Sequence, residues 1–178
     1  MPEKANIAVV GTGWWATTAH LPALVAHPRV GKIILVDINP EAGRKAAEKY
    51  KIPASQVFTT IADAKAAHPD LQGAIIAVTH HAHYKAAMDS LEQGLHLLIE
   101  KPMTIHARDA RAICEKADAI SKKILMGYTF PYLPHIVKAK SYIDEGLIGD
   151  IEYVACSRSS ITYDLLKGHP EKFEPPTG

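Results

Sequence analysis

The sequence predicts an α/β protein built on a doubly wound parallel sheet, and three observations predict it. Short continuous apolar runs recur along the chain with helical segments between them, the pattern of buried parallel strands joined by crossover helices. The first run, Ile7 to Val10, passes straight into Gly11-Thr12-Gly13, with Ala16 three positions further on. The second, Lys32 to Val36, ends on an acid, Asp37, which lies 21 residues beyond Ala16.

After the first strand, Gly11, Gly13 and Ala16 fit the G-x-G-x-x-G/A fingerprint of a Rossmann dinucleotide cradle. Glycine there permits positive φ or close backbone approach, and a small third residue lets the next helix pack on the strand. A helix starting near Trp14 points its unpaired N–H groups and positive dipole end at the turn, where a pyrophosphate fits. Thr12, Trp14 and Trp15 fill the variable positions; indoles there either lie over the pyrophosphate or nicotinamide or simply pack. Pro22 cannot occupy an unbroken helix interior, so a kink or restart is expected.

Asp37 stands near the offset of about 20 residues expected for the acid that bonds the adenosine ribose hydroxyls. Its charge repels a 2′-phosphate, which favours NAD over NADP. A structural reading stands beside this one, in which Asp37 opens a turn and Asn39 caps a helix begun by Pro40. Residues 40–51 are amphipathic, with Ala42, Ala46, Ala47 and Tyr50 on one face. Next along the chain are a strand at 57–58, a helix at 61–67 and a strand at 73–78. Then come a helix at 81–93 closed by Gly94, a strand at 95–99, a helix at 107–121 and a strand at 124–127. In such a sheet the ligand sits outside the carboxyl ends of the strands.

Beyond Gly127 the pattern changes. Residues 134–145 read as a helix ending at Gly146, and 150–158 alternate as a half-buried antiparallel strand does. Residues 165–178 form a Pro-rich tail. The expected division is a dinucleotide-binding domain over 1–128 and, over 129–178, the start of an incomplete α+β domain for substrate and dimerisation. A lone strand of this kind implies a fragment, or pairing with another chain.

A formal net charge of +1 gives no electrostatic case for nucleic acid or an anionic membrane as partner. Cys114 and Cys156 are too few for a disulfide framework and match no metal spacing, which fits a cytoplasmic protein. Neither a signal peptide nor a bilayer-spanning apolar run is read from the chain.

The fourth strand delivers Thr79-His80-His81-Ala82-His83 and the fifth Glu100-Lys101-Pro102. Together with Gly11-Thr12-Gly13, Ala16 and Asp37, these motifs resemble the glucose-fructose oxidoreductase, inositol dehydrogenase and MocA (Gfo/Idh/MocA) family over residues 5–160. The resemblance implies an NAD(P)-dependent oxidoreductase that moves a hydride between nicotinamide and a sugar, polyol or related hydroxy compound. It makes Lys101 catalytic or substrate-orienting, sets Glu100 and Pro102 by the nicotinamide, and lays Thr79 and His80 against the cofactor. His83 falls in the first turn of the next helix, either as a cofactor residue or as a helix cap or satisfied surface residue. The family's second domain usually adds an Asp and a His beside the Lys and carries the assembly sheet, which implies a homo-oligomer. Two departures stand out: His80 replaces the usual Pro, and Tyr128-Thr129-Phe130 lacks the Arg of the usual aromatic-Arg-Phe segment.

A lysine suits this chemistry because the hydroxyl proton must leave as the hydride departs. Burial beside a cationic nicotinamide makes such an amine a better base than it is in water. Pro102 holds the residue before it extended, which fixes the direction of Lys101. The three histidines at 80, 81 and 83 have no acid or Cys to complete a metal site, so no metal is expected. His20, His96 and His135 read as structural. The competing function is a non-catalytic dinucleotide-binding module, redox-sensing or partner-binding.

Overall fold

The computed structural model describes residues 4–157. The chain divides into two compact units, Met1–Thr129 and Phe130–Gly178. The first unit holds a six-stranded, all-parallel sheet: β1 (Ala5–Val10), β2 (Val30–Val36), β3 (Val57–Phe58), β4 (Gly73–Ile76), β5 (His96–Ile99) and β6 (Ile124–Met126). Their spatial order is β3-β2-β1-β4-β5-β6. The order reverses between β1 and β4, the switch point at which doubly wound sheets place their ligands.

Period-two alternation splits the strands' apolar residues between two buried layers. Ala8, Val10, Ile34, Val36 and Ile76 face Ile61, Leu91 and Ile113 on one side, whereas Val9, Ile33 and Leu35 face Ala16, Leu21, Ala46 and Ala47 on the other. Helices α2 (Pro40–Tyr50), α3 (Ile61–Ala67), α4 (His83–Glu92) and α5 (Ala107–Ala119) supply most of that cover. The side chain of Asn39 caps α2 by accepting from the N–H groups of Glu41 and Ala42, with Pro40 in the first turn.

The helix after β1 opens at Trp14, as the fingerprint requires. It contains a π-helical turn over Ala16–His20 before α1 (Leu21–Ala26), with Pro22 in the first turn of α1. Pro22 has no N–H to give an i−4 carbonyl, and the wider turn absorbs the break.

The register aligns the carboxyl ends. Phe58, Val36, Val10, Ile76, Ile99 and Met126 are successive partners across the sheet. The residues just beyond them therefore share one edge: Asp37, Gly11, Ala77, Glu100 and Gly127.

In the second unit, α6 spans Pro134–Asp144 and is followed by Gly146 at φ 73°. The strand expected over 150–158 does not form in its described part: 151–157 are irregular and exposed. Alternation makes a strand only where a neighbour accepts its ladder hydrogen bonds, and none is present among the described residues. Arg158 and the Pro-rich tail lie outside the described residues.

Candidate functional site

The site is built on the shared carboxyl edge. Gly11 has φ 89°, and a Cβ there would lie 2.6 Å from the Ala77 carbonyl oxygen, so β1 and the end of β4 leave room for glycine alone. Gly13 is different. A Cβ at this position would meet nothing within 4 Å, so the chain's own packing does not demand a glycine. A cradle whose backbone lies open at the start of a helix fits a pyrophosphate seated against it.

Asp37 is tied to that turn. Its Oδ2 accepts from the Thr12 N–H at 2.8 Å and from Thr12 Oγ1 at 2.7 Å, and its Oδ1 accepts from the Asn39 N–H at 2.9 Å. Three of a carboxylate's about four acceptor positions are thus already used, leaving room for one further donor. The turn-opening reading of Asp37 is realised: its Oδ1 holds the Asn39 N–H as Asn39 caps α2, while its Oδ2 faces the glycine turn through Thr12.

Three strands away, Glu100 is buried and its backbone N–H still donates to the Ile76 carbonyl. Its Oε1 lies 2.9 Å from His20 Nε2, and its Oε2 accepts from the Lys101 N–H at 3.3 Å. A Cβ on Gly127 would stand 2.9 Å from Oε1, so the residue after β6 makes room for this carboxylate. Lys101 is exposed, and its peptide bond to Pro102 is cis.

The β4 loop meets this turn through His83, which is 1% exposed. Nδ1 of His83 lies 2.8 Å from the Pro102 carbonyl oxygen and Nε2 lies 3.2 Å from that of Val78. Thr79 and His80 are exposed beside it, and the His80 ring stands edge-on to His83 with centroids 5.7 Å apart. Partial desolvation of its imidazole holds the pKa of His80 below its ordinary 6.5 although the residue is exposed as a whole, with smaller contributions from His83, Lys101 and His81. Trp14 and Trp15 are exposed at the fingerprint, with ring centroids 5.6 Å apart and planes tilted by 46°.

The structure thus gathers Gly11, Thr12, Gly13, Trp14, Trp15 and Asp37 around the turn after β1. Thr79, His80, Glu100, Lys101 and Pro102 collect at the ends of β4 and β5, with His83 turned inward between those two loops. Sequence reasoning misses two residues. His20, read as structural, pairs with a carboxylate 80 positions away, a separation that leaves no local signal. Gly127 reads in the sequence only as a strand's last residue. His96 is structural, its Nδ1 accepting from the Lys123 N–H at 3.1 Å. No group of three or more His, Cys, Asp or Glu is placed to hold a metal among the described residues, and no helix there is long and apolar enough to cross a membrane.

A parallel sheet reversing at β1 and β4, with a glycine turn and a strand-end acid at the reversal, defines a dinucleotide-binding α/β domain. Comparison makes this specific: the profile described as "Oxidoreductase family, NAD-binding Rossmann fold" matches residues 5–128, and the chain belongs to this Gfo/Idh/MocA family.

Among its relatives is an inositol 2-dehydrogenase of Corynebacterium glutamicum, 30% identical over 152 residues, covering 85% of this chain and 44% of that enzyme. Another is a D-xylose 1-dehydrogenase [NADP(+)] of Haloarcula marismortui, 29% identical over 171 residues, covering 95% of this chain and 46% of the enzyme. A crystal structure of aldose-aldose oxidoreductase from Caulobacter crescentus complexed with glycerol shares the fold, with TM-score 0.74, 23% identity and coverage of 83% of this chain and 44% of that one. The chain thus spans less than half the length of the relatives it matches.

Proposed function

We propose that this chain binds NAD across the β1/β4 switch point and serves a hydride transfer to or from a sugar, polyol or related hydroxy compound, with Lys101 as the residue that handles the proton. The observation that carries this reading is the shared carboxyl edge. Gly11, Asp37, Glu100 and Gly127 all stand just beyond a row of aligned strand ends, so the cradle and the lysine lie on one side of the sheet. Strand spacing of roughly 4.8 Å sets Asp37 and Glu100 about 14 Å apart along that edge, with the glycine turn between them. One nucleotide half then falls on either side of the turn.

In this arrangement the turn and its helix N-terminus hold the pyrophosphate and Asp37 takes a ribose hydroxyl, disfavouring a 2′-phosphate. Trp14, Trp15, Thr79 and His80 wall the groove. The bound nicotinamide supplies or accepts the hydride. Lys101 holds the substrate hydroxyl by a hydrogen bond and carries its proton, taken up on oxidation and returned on reduction. The names of the relatives, dehydrogenases of inositol and xylose, support a polyhydroxylated substrate.

Binding is directly testable because the chain's only two tryptophans are Trp14 and Trp15, both at the cradle. NADH should quench their emission and gain sensitised nicotinamide fluorescence. Asp37→Ala should weaken NADH by about 1–3 kcal/mol, the worth of a hydrogen bond to a charged group, and narrow the preference for NADH over NADPH. Unaltered emission at saturating NADH would overturn the dinucleotide reading. Equal affinity in Asp37→Ala would remove Asp37 from it. Absorbance at the NADH band with a panel of inositols and aldoses reads turnover; in an active preparation Lys101→Ala should abolish it while sparing NADH affinity.

A further inference from the structure

Among the described residues no hydrogen bond or ion pair fixes the Lys101 ammonium, so its direction is set by the backbone on either side of it. That backbone is restrained twice. On one side the Glu100 carboxylate is buried, takes the Lys101 N–H on Oε2, faces His20 Nε2 through Oε1 at 2.9 Å and fills the space left by Gly127. On the other side the Pro102 carbonyl meets His83 Nδ1 at 2.8 Å. Both carbonyls facing His83 can only accept, so a ring nitrogen holds either of them only by donating, and the contact to Pro102 is the shorter.

The two histidines come from the two elements that frame the switch point. His20 is the last residue of the π-helical turn downstream of the glycine loop. One extra residue in that turn rotates the rest of the helix by about 100° relative to a regular one, which sets the phase at which His20 leaves it. His83 opens α4, after the 3-10 turn His80–Ala82 that follows Thr79, and its ring spans from Val78 to Pro102.

We infer that His20 and His83 are positioning residues that clamp the Glu100-Lys101-Pro102 turn from its two sides and so keep the Lys101 amine aimed into the dinucleotide groove. The inference rests on the function proposed above. It also assigns each clamp to one ring atom, Nε2 in His20 and Nδ1 in His83.

That assignment gives a test by side-chain geometry. A Gln amide nitrogen lies where imidazole Nε2 lies, and an Asn amide nitrogen where Nδ1 lies. The full chain is reductively methylated with and without NADH, and protection of Lys101 is read by peptide mass spectrometry against Lys45, an exposed lysine of α2. Melting by circular dichroism monitors folding, and NADH affinity is read by sensitised fluorescence.

In the wild type, NADH should protect Lys101 and leave Lys45 reactive. His20→Asn and His83→Gln should lower that protection about tenfold, as loss of one hydrogen bond to a charged or buried partner implies. His20→Gln and His83→Asn should keep it. If Lys101 is protected in the wild type and Asn and Gln behave alike at both positions, or melting alone tracks the loss, the clamp is overturned. If Lys101 is unprotected even in the wild type although NADH binds, the placement of Lys101 in the proposed function fails instead.

Discussion

His80 and Lys101 are close enough to sense one another. The lysine charge is one of the causes that hold the His80 pKa below 6.5, after burial and His83. Removing it in Lys101→Met should raise the His80 pKa toward its ordinary value, followed by the imidazole proton shifts in an NMR titration; an unmoved titration would place Lys101 away from the β4 loop. The linkage has a definite sign. Folded His80 gives up its proton more readily than unfolded His80, so between the depressed value and 6.5 the unfolded chain binds more protons. Stability therefore rises with pH across that window and is lost as pH falls through it. Lys101→Met should flatten this dependence, to a small extent because His80 is exposed. In Gly127→Ala the new Cβ would crowd Glu100 Oε1 and Oε2 at 2.9 and 3.1 Å, so the buried carboxylate must move. Destabilisation of about 1–3 kcal/mol by denaturant titration is the expected cost of such overpacking.

The two glycines of the turn separate folding from binding at the scale of an element. Gly11→Ala combines a φ of 89° with a 2.6 Å approach to the Ala77 backbone and should lower the melting temperature sharply or prevent folding. Gly13→Ala meets no protein atom within 4 Å and should melt as the wild type does, while NADH affinity drops because the methyl group occupies the pyrophosphate's approach. Equal affinity in Gly13→Ala would move the phosphate away from this turn. The same element shows what the sequence could and could not tell. The strand, the glycine turn and the helix start at Trp14 were legible, because a continuous apolar run and a required positive φ are local properties. The π-helical turn over Ala16–His20 was visible only as Pro22. The pairing it creates, His20 with Glu100, depends on β5 lying two places from β1 in the sheet. The alternation over 150–158 failed for the reverse reason: the local pattern is present, and the ladder partner is absent among the described residues.

At the scale of the molecule the buried apolar residues, among those described, belong to one unit. Both core clusters, including Ile34, Ile76, Leu91 and Ile113 on one face of the sheet and Leu21 and Leu35 on the other, lie before Thr129. Every described residue from Phe130 onward is exposed or half-buried, and Leu147, Ile148, Tyr153 and Val154 are among its exposed apolar side chains. Among the described residues, 4–129 thus carry the burial that opposes chain entropy, and 130–157 add apolar surface with little buried of their own. A chain cut after Thr129 should therefore unfold in one cooperative transition at the melting temperature of the full chain and bind NADH with the same affinity. Light scattering should show it less prone to self-association, since the exposed apolar groups of 130–157 are gone. A cut chain that does not fold, or one that folds and has lost NADH binding, would show that residues beyond 129 complete the cradle, and the boundary at Thr129 would have to move.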